Sequence, residues 1–357
     1  MSTSATHRPS RFHGLAAVIV PLVCAVLLSL MTVFNQVKTL GLSWHEEHYR
    51  GRLNDVKARN ADSPWQYRPL SDTAVAKLCN AVEAWAASYN GDGDPGPFDV
   101  LRRRPVGALF VFIRVAQNTL IFLLALAYFR RFGIDAYLGL VGISALAWAM
   151  SHANQDSDLA INTYTEVIFY LLAGIAILSE RPVWVLPIAL LAALNRETSG
   201  LIPVMLFAST VRLTPSLKLS RPIVRLSAFS MGLYWGIFIG LRQYYGDRGW
   251  EIHPSGAQQG MDLFLYNIGL ADTWANLAGT LGLLPVLGLI LWRAWPRRLK
   301  AFFWAIVPVW FPVHFLFGAM AETRLVLVPL AVVFLPGALI ALRDCAAVCG
   351  ETREVEA

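Results

Sequence analysis

The chain has 357 residues, of which 56% are hydrophobic and only 15% charged, with a net charge of +6 and a mean hydropathy of +0.49. A soluble domain of this length has too little interior to hide that much apolar side chain, which excludes an ordinary soluble globular protein. The excess cations sit in short segments between apolar stretches, so the basic balance points to membrane topology and not to a nucleic-acid partner.

Residues 14–34 form the first uncharged run, long enough for a bilayer span of roughly 20 residues. Arg8 and Arg11 precede it, as they would a cleaved signal peptide. No small-x-small cleavage site follows promptly, and the run is too long for a typical signal core, so a retained first helix is expected. Further spans are expected near 106–128, 134–151, 166–179, 183–195, 199–211, 226–243, 276–293, 301–318 and 325–342. The pair 183–195 and 199–211 is short, as in a hairpin that stops inside the bilayer or two tilted companions. The expected fold is all-α, a polytopic membrane helical bundle of about ten transmembrane helices. Its transmembrane domain covers 14–342, with outer loops 35–105 and 244–275, and the tails 1–13 and 343–357 are cytoplasmic. This orientation puts Arg130, Arg131, Arg181, Arg212, Lys218, Arg221, Arg225, Arg293, Arg297, Arg298 and Lys300 on the inner side, as short loops require. A multi-pass protein of the cell (inner) membrane with both termini inside is the expectation. Cys24, Cys79, Cys345 and Cys349 leave no even set on the oxidising side, so no structural disulfide is expected.

Several polar groups fall where apolar surroundings make them costly. After the first span, Trp44-His45-Glu46-Glu47-His48-Tyr49 collects two carboxylates and two imidazoles, a base or metal site or a solvated stretch. Its spacing lacks the i, i+4 histidines of a zinc-protease helix, which excludes that class. Ser63 to Leu70 sets Trp65, Tyr67 and Arg68 between prolines, in the manner of a headgroup-level segment whose arginine can grip a phosphate. Val75, Leu78, Val82, Trp85 and Tyr89 then recur at helical spacing, as in an amphipathic helix lying on the membrane or packed on the outer domain. Arg114 and Gln117 lie inside the second span, where a charge either marks function or snorkels toward the outer interface. Asp156 and Asp158 can bind a divalent cation through oxygen ligands or simply solvate their loop. The turn Asn195-Arg196-Glu197-Thr198-Ser199 puts adjacent opposite charges between two apolar segments. Glu322 and Arg324, two apart, lie in another short turn; each turn is either a cavity-lining charge pair or a plain polar turn with its own salt bridge.

These clusters come from distant parts of the chain and share one expected membrane face. Over most of its length the chain resembles the GT-C superfamily, polytopic glycosyltransferases that use polyprenyl-phosphate-linked sugar donors. The resemblance rests on the large first outer loop with its interfacial helix and on three segments: PWQYRPL (64–70), LNRETS (194–199) and AETRLVLVPL (321–330). It implies an inverting transfer to an acceptor on the non-cytoplasmic face, with a first-loop acid as base; Glu46 and Glu47 are the matching positions. It implies positive charge for the leaving polyprenyl phosphate, for which Arg68, Arg196 and Arg324 are the candidates. Glu197 and Glu322 would orient those arginines or bind sugar hydroxyls, and Trp65 and Tyr67 would stack on a sugar or hold the lipid stem. The implied partners are a lipid-linked sugar donor and membrane lipids, with the acceptor left open, and a divalent cation at Asp156 and Asp158 stays open too. Two other classes remain: a transporter or flippase, which Arg114 and Gln117 would suit although no inverted repeat is detectable, and a non-catalytic membrane assembly protein.

Overall fold

The structure is a computed structural model that describes residues 11–61, 63–88, 103–153, 161–211, 220–247, 249 and 256–355. The described residues are helical, with no strand. In chain order the helices are α1 (Arg11–Leu40), α2 (Leu42–Lys57), α3 (Pro69–Ser88), α4 (Pro105–Arg130), α5 (Ala136–His152), α6 (Ile161–Leu178), α7 (Val185–Ala193), α8 (Leu201–Thr210), α9 (Arg221–Tyr245), α10 (Met261–Gly269), α11 (Ala271–Leu281), α12 (Leu284–Ile290) and α13 (Arg297–Phe317). The last, α14, starts as a 3-10 turn (Thr323–Val326), passes through a π-helical stretch (Leu330–Phe334) and continues as Leu335–Val355. Local chemistry sets several of these starts. Asp135 caps α5 by accepting from the Leu138 N–H at 2.9 Å, and Pro105 opens α4 where its missing N–H costs nothing.

Among the described residues, six segments are long and apolar enough to cross a membrane: Val18–Leu40, Pro105–Arg130, Ile161–Leu178, Arg221–Tyr245, Arg297–Phe317 and Thr323–Ala346. The α11–α12 pair, bent by 65°, makes up to seven if it is one broken span. Helices α5, α7 and α8 fall on the expected spans 134–151, 183–195 and 199–211 but are shorter, at 17, nine and ten residues. Length and composition thus support six or seven crossings where about ten were expected.

The burial pattern is that of a bundle in lipid. Helix α14 runs through the centre, with Val328, Leu330, Val333, Leu335 and Leu339 enclosed by Phe122 and Phe129 of α4, Leu146 of α5, Tyr170 of α6, and Phe302 and Trp310 of α13. At the periphery, α1 and α9 turn Val18, Leu27, Phe34, Phe229, Trp235 and Ile239 outward. A central helix apolar on every side, ringed by helices that are also apolar outward, fits a multi-pass membrane protein.

Proline inside the central helix has a visible consequence. Pro336 has no N–H to give the Val332 carbonyl four residues back, and the hydroxyl of Tyr128 donates to that carbonyl at 2.8 Å. At the next residue, a Cβ on Gly337 would lie 2.2 Å from the Trp295 ring, so only glycine lets that indole pack against the helix.

The expected loop 35–105 contains α2 and α3, which pack on the first turns of α4. Tyr49 and Leu53 of α2, Val75 and Cys79 of α3, and Val106 and Phe110 of α4 form a small separate core. The rings of Tyr49 and Phe110 stack at 3.5 Å. Helix α3 forms where the spacing places a helix, but the periodic apolar set does not share one environment. Val75 faces the protein, while Leu78 and Trp85 are exposed.

Replacing Tyr128 with Phe would orphan the Val332 carbonyl inside the bundle. The expected cost is about 1–3 kcal/mol, read as a lower unfolding midpoint in detergent; an unchanged midpoint would mean that the carbonyl finds another donor.

Candidate functional site

The turn between α7 and α8 organises the polar centre. A backbone bond from the Leu70 N–H to the Leu194 carbonyl at 3.1 Å docks the start of α3 against the end of α7. Ser71 Oγ donates to Asn195 Oδ1 at 2.5 Å, and Asn195 Nδ2 donates to the Asn162 carbonyl at 2.8 Å. Asn195 is completely buried, and its amide is therefore a bridge between α3, the turn and α6. With the turn fixed this way, Arg196 and Glu197 point into opposite pairings.

Arg196 reaches into the bundle. Its Nη1 lies 3.0 Å from Thr163 Oγ1 and 3.1 Å from Glu166 Oε2. Glu166 is fully buried, and its other oxygen accepts from the Thr198 hydroxyl. Tyr170 Oη donates to the Thr198 carbonyl at 2.7 Å, and the Tyr234 hydroxyl donates to the Glu197 carbonyl. Glu197 turns the other way, toward the segment after α2: Arg68 Nη2 and Nε both donate to Glu197 Oε2, at 2.8 and 3.2 Å. The third pair stays local, with Arg324 Nη2 2.6 Å from Glu322 Oε2 at the start of α14. The charges of Arg68 and Arg324 are both felt at Arg196, and those of Arg196 and Arg68 at His314 of α13.

Three guanidiniums from segments far apart in sequence are thus each matched to a carboxylate. Such pairing is what a low-dielectric interior demands, since an unmatched charge there is far more costly than a matched pair. Polar atoms around the cluster that are buried without a hydrogen-bond partner among the described residues include Glu197 Oε1, Asn162 Nδ2 and Ser199 Oγ. Buried polar groups are nearly always satisfied, so open ones beside an ion-pair cluster are what a ligand or water site presents. Asn162 also lines a small cavity with Tyr49, Arg52, Asp72 and Phe110.

The aromatic pair beside Arg68 is engaged with protein groups. Trp65 lies between the guanidiniums of Arg52, 3.2 Å from its ring centre, and Arg68, 4.9 Å away. Tyr67 is buried, donates to the Gly246 carbonyl at 2.8 Å and carries Arg242 over its ring at 4.7 Å.

The two expected base candidates separate. Glu46 is buried; its carboxylate accepts from the Gly107 N–H, one of the otherwise unpaired donors at the start of α4, and from Arg50 Nε at 2.7 Å. Arg50 in turn pairs with Glu83 of α3, so Glu46 belongs to the network that joins α2, α3 and α4. Glu47 is exposed. Beside that network, burial pushes the Cys79 thiol up to about 11, with Glu83 adding to the shift and Lys57 and Arg50 opposing it. Asp156 and Asp158 lie outside the described residues, and among those described no group of three or more His, Cys, Asp or Glu is placed to hold a metal ion.

Glu166 is the principal residue that reading the sequence overlooks. Its signal is present, because it is the one acidic or basic side chain between Ile161 and Leu178, and a carboxylate inside an apolar span needs a partner. His314, in an otherwise apolar stretch of α13, was legible on the same ground.

No protein-family model, curated protein or solved structure matches the chain; the chemistry of the site is read from its residues alone.

Two outcomes check this geometry. Arg196→Met leaves Glu166 buried without its counter-charge and is expected to cost about 3–5 kcal/mol. The Arg196→Met, Glu166→Gln double variant should recover most of that loss in unfolding measurements, and a double variant as unstable as the single one would contradict the pairing. Iodoacetamide at pH 8 should leave Cys79 unmodified while exposed Cys345 reacts. Reactivity at Cys79 should rise only as the pH approaches its raised value, because the thiolate is the nucleophile; modification of Cys79 at pH 8 comparable to that of Cys345 would contradict its burial.

Proposed function

We propose that the protein is a GT-C-type membrane glycosyltransferase that moves a sugar from a polyprenyl-phosphate donor to an acceptor on the non-cytoplasmic face. The observation that supports this reading is the pairing of Arg68, Arg196 and Arg324 with one buried carboxylate, Glu166, and two partly exposed ones, Glu197 and Glu322, beside open polar atoms. A lipid-linked sugar leaves behind a phosphate whose charge grows as the glycosidic bond breaks. Guanidiniums held ready for that charge stabilise the transition state more than the ground state.

In this reading Glu47 is the base, because the Glu46 carboxylate is already taken by the Gly107 N–H and Arg50. Glu47 accepts the proton of the acceptor hydroxyl, whose oxygen attacks the anomeric carbon. The bond from that carbon to the phosphate oxygen breaks, and the polyprenyl phosphate leaves with the electron pair, inverting the sugar. Donor phosphate would take over part of the pairing now made by Glu197, whose side chain is 22% exposed and the more accessible partner of the Arg68 pair. Glu166, enclosed by Arg196 and Thr198, would keep its place and hold Arg196 at a fixed angle. Trp65 and Tyr67 act here by fixing Arg68 and the neighbouring arginines, with the sugar approaching the open side of the cluster.

A transporter is the second reading, and one observation favours it. Arg114 is fully buried within α4, with its guanidinium 3.4 Å from the centre of the Tyr164 ring and near Gln117, as in a polar path through a span.

Purified protein offered a panel of radiolabelled polyprenyl-phosphate sugars with membrane acceptors should transfer label from one of them. Glu47→Gln and Arg68→Ala should each lower the rate by about a hundredfold or more while the protein stays folded. Folded wild-type protein that transfers from no donor, yet moves a donor across vesicle bilayers, would refute the transferase and support the transporter.

A further inference from the structure

The helices that hold the arginine cluster carry a second polar concentration at their opposite ends. Helix α6 has Glu166 in its first half and ends at Leu178, and α13 has His314 near its end and begins at Arg297. At 1.5 Å per residue the two ends of the 21-residue α13 are separated by roughly 30 Å along its axis, the thickness of the hydrocarbon layer. At this far end the ends of α6 and α8 and the starts of α9 and α13 surround a cavity of about 490 Å³. None of its lining residues belongs to the transferase site.

The cavity has two chemically different parts. Ile177, Leu206 and Ile223 supply apolar wall, while the polar part holds the guanidiniums of Arg297 and Arg298 together with the Glu180 carboxylate and the Ser209 and Thr210 hydroxyls. Both arginines are oriented by backbone. Arg297 Nη1 donates to the Val211 carbonyl at 3.0 Å, and Arg298 Nη1 donates to the Leu178 carbonyl at 3.2 Å. These are carbonyls at or just past helix C-termini, which have no donor within their own helix. Arg298 Nη2 also meets Glu180 Oε1 at 3.0 Å, but that carboxylate is 79% exposed and the pair is correspondingly weak. A guanidinium has five N–H donors, so Arg298 has further donors to direct at an anion. Residues 212–219, which join two of the walls, lie outside the described part of the chain, and the groups named here are all outside that segment.

The level of the cavity follows from its neighbours. Trp184 and Trp304 are exposed at 62% and 65%, and Lys300 stands over the Trp292 ring at 5.8 Å. Exposed tryptophans beside Lys and Arg are the composition of the bilayer–water boundary. An occupant that satisfies both parts must therefore carry an anionic oxygen group and an apolar stem at the depth of the headgroups. A free phosphate ion would meet the arginines but leave the isoleucine and leucine wall against water.

We infer that this cavity is a binding site for an anionic phospholipid, with the headgroup phosphate at Arg297 and Arg298 and the acyl stem along Ile177, Leu206 and Ile223. A phosphate ester is the shared chemistry that the arginines recognise, and the apolar wall selects the lipid form of it. Cationic pockets between membrane helices take such headgroups. The inference is independent of the transferase reading, because it concerns the opposite end of the bundle and is read by binding and not by transfer.

The test uses delipidated full-length protein in neutral detergent, offered phosphatidylglycerol, phosphatidylcholine or inorganic phosphate, and read by native mass spectrometry and thermal shift. Phosphatidylglycerol should be retained and raise the melting temperature, and the other two should do neither. An Arg297→Gln, Arg298→Gln variant should lose about tenfold or more of that retention. Because the variant removes bonds that finish two helices, Ile223→Trp is the companion; it fills the cavity, keeps the charges and should also reduce retention. Equal retention of the two lipids, protection by inorganic phosphate alone, or unchanged phosphatidylglycerol retention in a folded Ile223→Trp variant would each overturn the assignment.

Discussion

The polar centre of this protein depends on the buried ion pair between Arg196 and Glu166. In a bundle whose central helix is enclosed on all sides, neither charge could be held alone without a penalty of several kcal/mol. Pairing them fixes the turn between α7 and α8 against α6. Thr163, Thr198, Tyr170 and Asn195 then supply the remaining hydrogen bonds. Once that turn is fixed, Glu197 faces the segment after α2 and captures Arg68, and α3 docks through Ser71 and Leu70. The site is therefore layered outward from one compensated charge to the partly exposed carboxylate of Glu197.

How much of this the sequence discloses depends on whether a residue's cost is local. The turns at 195–199 and 321–324 are legible because charge beside apolar runs demands explanation wherever the chain goes. The pairing of Arg68 with Glu197, 129 residues away, has no local signature; only the fold brings the two together. Glu46 and Glu47 show the limit from the other side. Adjacent in sequence and alike in chemistry, they diverge because successive helical positions point about 100° apart. One reaches the free N–H groups of α4 and the other faces outward.

The membrane character of the helices is written in composition, but their number is not. Helices α7 and α8 are too short to cross alone, and the break between α11 and α12 bends by 65°, so apolar runs that read as spans are pieces of other arrangements. Pro336 has a clear local consequence, a carbonyl without its helical donor; that Tyr128 answers it from α4 is a property of packing alone. The same holds for Gly337, whose need to be glycine comes from Trp295.

The claim beneath the functional reading is that Arg68, entering from the segment after α2, and Glu197, presented by the α7–α8 turn, form one charge unit. A double-mutant cycle of Arg68→Ala and Glu197→Ala, read by unfolding in detergent, measures that coupling directly. A partly buried pair of this geometry predicts a coupling of about 1 kcal/mol or more, whereas additivity within roughly 0.3–0.5 kcal/mol would mean that the two side chains do not act together and would contradict the account.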